Sequence, residues 1–133
     1  MKYLLDTDMC SYIIKNVSFL RERFQRIKPQ ELLISSITWA ELNSWVMMSP
    51  NPELRFLSLQ KMFIFIPVIP FNYMDANCHG AIKKHLKSQG INIGSLDMLI
   101  AAHAISRDLT LVTNNMKHFG LIPKLKIDNW LKK

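Results

Sequence analysis

The strongest constraint on this chain is the alternation of short, unbroken apolar runs with longer segments of helical period. The runs lie at residues 2–5, 32–34, 65–69 and 110–113, with a possible fifth at 125–127. Segments over about 18–28, 38–48, 53–63, 73–88 and 95–107 carry apolar residues at helical spacing. The first run also reads as a strand feeding a helix. A strand that is apolar along its whole length has both faces covered, whereas one facing water alternates. The pattern predicts an α/β chain: a short parallel, doubly wound sheet with helices on both faces. Ser49-Pro50-Asn51-Pro52 stops the helix before it, and Gln89-Gly90 closes the helix over 73–88. A proline, Pro67, stands near the start of the third run.

A chain of 133 residues with 49% apolar content can bury one core, and no linker or repeat divides it. One domain over 1–133 is expected. The net charge of +7 favours an anionic partner, with nucleic acid the commonest, and a membrane surface or an acidic protein segment as alternatives. Lys15, Lys83, Lys84, Lys87, Arg107 and Lys117 are the candidate guiding cations. Cys10 and Cys78 are too few for a disulfide framework or a zinc knuckle and read as buried thiols on helices. Asp6 and Asp8 interrupt the N-terminal apolar run, so no signal peptide is visible, and no run approaches the ~18 apolar residues of a membrane span. The expected location is the cytoplasm.

Four of the ten acids, Asp6, Asp8, Glu41 and Asp97, stand at transitions into helices amid apolar sequence. Ligands of open α/β sheets bind beyond the carboxyl ends of the strands, where these positions can converge. Each acid also has a local explanation. Thr38 with Glu41 matches a capping box, Ser95 can cap the helix that holds Asp97, and Asp6 or Asp8 can cap the first helix. Converging carboxylates repel by ~4 kcal/mol per pair at 4 Å in an effective dielectric of ~20, and a cation removes that penalty. The all-oxygen set suits Mg²⁺ or Mn²⁺ rather than zinc. A metal held this way can activate water and stabilise charge on a scissile phosphate. His79, His85 and His103 lack metal spacing and read as core or surface residues. Trp39, Trp45, Met47 and Met48 read as packing residues, or as the lining of a groove for a partner helix.

Leu4-Leu5-Asp6-Thr7-Asp8, Ser36-Ile37-Thr38-Trp39-Ala40-Glu41-Leu42 and Asp97-Met98-Leu99-Ile100-Ala101-Ala102-His103-Ala104 resemble successive PIN-domain motifs. Leu111-Val112-Thr113-Asn114-Asn115, Phe119, and Leu125 through Asn129-Trp130 resemble the C-terminal part of the VapC branch. The resemblance implies a parallel sheet flanked by helices, acids that bind Mg²⁺ or Mn²⁺, and endonucleolytic cleavage of RNA, often transfer RNA. It implies a homodimer, and a VapB-type antitoxin that occludes the site, with DNA bound only through that antitoxin. Carried onto this sequence, Asp6 and Asp97 bind metal. Glu41 is a third acid that binds the metal or orients its water, and Thr7 and Thr113 are polar neighbours. Asp8 replaces the usual asparagine, Asn115 stands where many relatives have a fourth acid, and His118 replaces a glutamate. That corner is therefore poor in acids, and one firmly held metal is expected.

Two other classes compete. Asp6-Thr7-Asp8 also fits the DxD of an aspartate-nucleophile phosphatase, but Asn114-Asn115 stands after the fourth strand where that chemistry needs an acidic pair. A degenerate module that only binds antitoxin or RNA would fit the changes at Asn115 and His118.

Overall fold

A computed structural model of the chain describes residues 2–15, 18, 22 and 26–131. The helix expected over about 18–28 lies mostly outside them. Five parallel strands, β1 (Tyr3–Leu5), β2 (Leu32–Ser35), β3 (Val68–Ile69), β4 (Thr110–Val112) and β5 (Ile127–Asp128), form one sheet in the order β3-β2-β1-β4-β5. The predicted doubly wound sheet is therefore present. Tyr3, Leu4 and Leu5 pair with Leu32, Leu33 and Ile34 on one side and with Thr110, Leu111 and Val112 on the other. The central strand is thus enclosed within the sheet as well as on its two faces.

The faces divide the chain into two cores. Leu5, Leu32, Ile34 and Val112 pack with α1 (Thr7–Lys15), α2 (Ser36–Met48) and α3 (Pro52–Phe63). Leu4 and Leu111 pack with α4 (Tyr73–Ser88) and α5 (Ser95–Ser106). A short helix, α6 (Met116–Phe119), follows β4. No helix among the described residues is long and apolar enough to cross a membrane.

The caps differ from several expectations. α2 begins at Ser36, because Ser35 Oγ accepts a hydrogen bond from the Ile37 N–H. Thr38 therefore lies inside the first turn and caps nothing. Gly94, not Ser95, precedes α5, and no side chain caps that helix. The third strand shrinks to Val68–Ile69 because Pro67 has no N–H to give the ladder, although its carbonyl still accepts from the Ile34 N–H. The last strand begins two residues later than expected and ends one later. Cys10 is buried, but Cys78 is only half-buried.

Asp75, buried at the start of α4, ties this layer together. It accepts hydrogen bonds from Ser106 Oγ (2.6 Å), the Asn72 N–H (2.8 Å), Arg107 Nε (3.2 Å) and Arg107 Nη2 (3.2 Å). Arg107 Nη2 also donates to the Pro70 carbonyl. Arg107 is therefore a structural cation and not a free guide for a polyanion. His103 Nε2 lies 3.6 Å from Asp75 Oδ2, and His103 Nδ1 shares a 2.7 Å hydrogen bond with Ser35 Oγ. The Asp–His–Ser order invites a catalytic reading, but all three side chains are fully buried and no substrate reaches them. Burial lowers the His103 pKa and Arg107 adds to this, outweighing the pull of Asp75.

Burial works to raise the Asp75 pKa. The hydrogen bonds from Ser106, Asn72 and Arg107, with the nearby His103, outweigh it and hold the carboxyl below its ordinary value. A depressed carboxyl stabilises the fold above its unfolded pKa of ~3.9, and that contribution is lost as pH falls through the lower folded value. Replacing Asp75 by Ala leaves Arg107 and Ser106 without their acceptor and is expected to cost about 3–5 kcal/mol at pH 7, read by urea denaturation. The deficit should shrink below pH 4; a loss under 1 kcal/mol at neutral pH would show that the cluster does not hold α4 to α5.

Candidate functional site

The order in which strands are added to the sheet reverses between β1 and β4, the place where such sheets open a crevice at their carboxyl ends. Asp6 follows β1 there, with its N–H bonded to the Val112 carbonyl of β4. It also begins α1: its carbonyl accepts from the Cys10 N–H and its Oδ1 from the Met9 N–H at 2.8 Å. Asp6 is thus the N-cap of α1, as one local reading anticipated. A cap normally sits in water, whereas Asp6 is only 4% exposed.

That burial dominates its titration. Desolvation lifts the Asp6 pKa to about 6 against hydrogen bonds from the Thr113 side chain and the Met9 N–H, with Asp8 and Asp97 adding like charge. Asp97, half-buried in the first turn of α5, is also raised by burial; His118 partly offsets this and Asp8 adds to it. No lysine or arginine forms an ion pair with Asp6, Asp8 or Asp97 among the described residues. Three carboxylates therefore lie within electrostatic reach of one another with no lysine or arginine partner among the described residues.

Glu41 reaches this region from α2. Its Oε1 accepts a 2.7 Å hydrogen bond from Thr7 Oγ1, which also contacts Thr38 Oγ1 at 3.3 Å. In sequence Thr38 reads as a helix cap; it is instead buried within α2 against Thr7, in the polar cluster that includes Glu41. On the opposite side, Thr113 Oγ1 accepts from the Asn115 N–H, and Asn115 Oδ1 accepts from the His118 N–H to cap α6. Asn115 is thus occupied locally. His118 is near enough to Asp97 to act on it electrostatically, and its buried Nδ1 has no hydrogen-bond partner among the described residues.

The donor set fits a hard divalent cation. It is all oxygen, its central member is desolvated, and among the described residues no lysine or arginine pairs with it. Among the described residues no three His, Cys, Asp or Glu side chains stand together closely enough to hold an ion as they are. The fit is therefore to an ion held by two carboxylates that keeps several waters, the coordination that Mg²⁺ favours.

Residues 3–123 match the family model for the PIN domain. The chain is 37% identical over 134 residues to ribonuclease VapC2 of Rickettsia felis, covering 99% of this chain and 100% of that protein. It is 35% identical over 131 residues to the tRNA(fMet)-specific endonuclease VapC of Salmonella typhimurium, covering 98% of each. A crystal structure of DNA-bound VapBC from Salmonella typhimurium matches with a TM-score of 0.92 at 35% identity over 98% of both chains.

The raised Asp6 pKa has a measurable consequence. A carboxyl with a higher pKa folded than unfolded favours the fold while protonated. That benefit is fully present below the unfolded value of 3.8 and is lost as pH rises through about 6. At pH 8 the ionised group costs the metal-free fold on the order of 3 kcal/mol. Asp6→Asn keeps the cap acceptor without the charge. It should therefore be more stable than the parent at pH 8 in EDTA, with the difference gone by pH 4. Thermal denaturation at both pH values checks this, and a variant that is less stable at pH 8 contradicts it.

Proposed function

Because the chain belongs to the PIN-domain family, with relatives named VapC ribonucleases over nearly its whole length, we propose that it is the toxin of a VapBC-type pair, a metal-dependent endoribonuclease. The observation that carries this reading is the buried, unneutralised Asp6 at the sheet crossover, facing Asp8 and Asp97. Asp6 and Asp97 would hold the metal, Mg²⁺ or Mn²⁺. Bound there, the ion would supply charge neutralisation at the scissile phosphate and ease deprotonation of a water. The chain's own residues do the positioning. The Met9 N–H and Thr113 orient Asp6, and Thr7 holds Glu41 where its second oxygen can accept a proton from the attacking water. Asp8 is solvent-exposed and adds negative potential. Asn115 and His118 shape the acid-poor fourth corner, so one ion binds firmly. The relative specific for tRNA(fMet) makes initiator transfer RNA the first substrate to test.

The same reading supplies a protein partner. Trp45, Met47 and Met48 on α2 and Leu54 and Leu57 on α3 are exposed, with Trp45 at 45% and Met48 at 76%. They are not packing residues of this chain. Only Trp39 packs inward, against Phe56 and Phe63. A cavity lined by Ile14, Leu42, Trp45, Val46 and Leu59, with Lys15 and Arg55 at its rim, lies between α1, α2 and α3. This surface suits an amphipathic antitoxin segment of the VapB type, through which the pair would contact DNA; the toxin would be a cytoplasmic homodimer.

Two outcomes are expected. Purified protein should cleave an initiator transfer RNA transcript with Mg²⁺ or Mn²⁺ and not in EDTA, and Asp97→Asn should lower the rate at least 100-fold without lowering the melting temperature. A folded Asp97→Asn variant cleaving at the parental rate would remove Asp97 from the site, and RNA binding without cleavage by the parent would favour a degenerate binding module. Trp45→Ala with Met48→Ala should weaken copurification of a co-expressed antitoxin and leave cleavage intact; undiminished capture would move the partner elsewhere.

A further inference from the structure

α4 and α5 run antiparallel. Asp75 in the first turn of α4 bonds Ser106 and Arg107 at the end of α5, so the last turns of α4 lie beside the first turn of α5, which carries Asp97. A cavity of about 230 Å³ opens there. Its apolar lining is Leu86, Ile91, Ile93 and Met98, and its polar lining is Lys83, Lys87 and Asn92. Met98 and Asp97 share the first turn of α5, so this cleft lies at the same end of α5 as Asp97. Lys83 and Lys87 stand four residues apart on one helix face, and both are exposed. Among the described residues neither forms an ion pair, whereas Arg107 is held by Asp75 and Lys126 by Asp108.

We propose that Lys83, Lys87 and Asn92 form a subsite for a backbone phosphate of the RNA strand flanking the scissile position. This rests on the ribonuclease reading. A strand crossing Asp6, Asp8 and Asp97 meets a negative potential that a bound ion relieves only at the reacting phosphate. The neighbouring phosphate needs its own countercharge, and the two lysines provide it from the cleft at that end of α5. The Asn92 amide donates to a phosphate oxygen or the adjacent ribose, and the apolar floor receives the sugar. Contacts of this kind position the strand and carry no base sequence. Lys84 does not line the cavity and takes no part.

The test uses the full chain carrying Lys83→Gln with Lys87→Gln, an arginine pair at both positions, and Lys126→Gln as a basic-surface control. Binding of a labelled initiator transfer RNA transcript is measured on the Asp97→Asn background across a salt series. Cleavage is measured on the parental background. The glutamine pair is expected to weaken binding about tenfold and to lower the slope of log affinity against log salt by about 0.7–1 for each lysine. KM should rise with kcat within twofold, the arginine pair should restore binding, and Lys126→Gln should match the parent. Unchanged affinity and salt slope in the glutamine pair would overturn the subsite, as would a fall in kcat at constant KM. Failure of the parent to cleave RNA with any metal would instead overturn the ribonuclease reading, and the binding arm would still judge the lysines.

Discussion

The structure depends on keeping Asp6 where a carboxylate is costly. β1 is paired on both edges and covered on both faces, so whatever follows it leaves the sheet into a largely dry crevice. A neutral cap would satisfy the first turn of α1 equally well. An acid at this position adds a desolvation penalty, and Asp8 and Asp97 increase it. No lysine or arginine among the described residues pairs with Asp6 to offset that penalty. Thr113 and the Met9 N–H reduce it without cancelling it, since the pKa remains raised. A site that is unstable as an anion without a partner is disposed to take up a cation. The folding cost and the binding capacity arise from the same three charges.

Much of the fold was legible because its signals are local. The helix over 73–88 has the predicted bounds, since Asn72 and Asp75 form a reciprocal cap and Gly90 adopts the left-handed conformation (φ 68°) that ends it. The chemistry around the acids was less legible. Thr38-x-x-Glu41 has the spacing of a capping box, but Ser35 takes the cap and Thr7, 34 residues from Glu41, takes the acid. Spacing along a helix does not report a partner from another strand end. Asp75 and Arg107 drew no structural interpretation for the same reason: their ion pair spans 32 residues. Trp45, Met47 and Met48 could be read as core or as a groove for a partner helix, because composition registers how apolar a helix is and not which side is covered; their exposure removes the core reading.

The two cores also separate two kinds of surface. α1, α2 and α3 lie on one face and leave a bare apolar face with Lys15 and Arg55 at a rim. α4 and α5 lie on the other and present Lys83 and Lys87 beside Asp97. Because the direction of winding reverses between β1 and β4, the acid crevice sits between these faces. Glu41 enters it from the apolar side, and Asp97 from the basic side.

This division bears on how a protein inhibitor could act on the proposed enzyme. An occluding segment seated on α2 and α3 gains its affinity from apolar burial, which is insensitive to salt. RNA held by the lysines gains affinity from charge, which salt screens. The two ligands would share only the acids, where a single basic side chain from the inhibitor could take the place of the metal and relieve the same repulsion. An inhibitor built this way need not cover the RNA-binding face. It would compete at the acids, so part of its binding energy would come from removing the desolvation and repulsion that raise the Asp6 pKa.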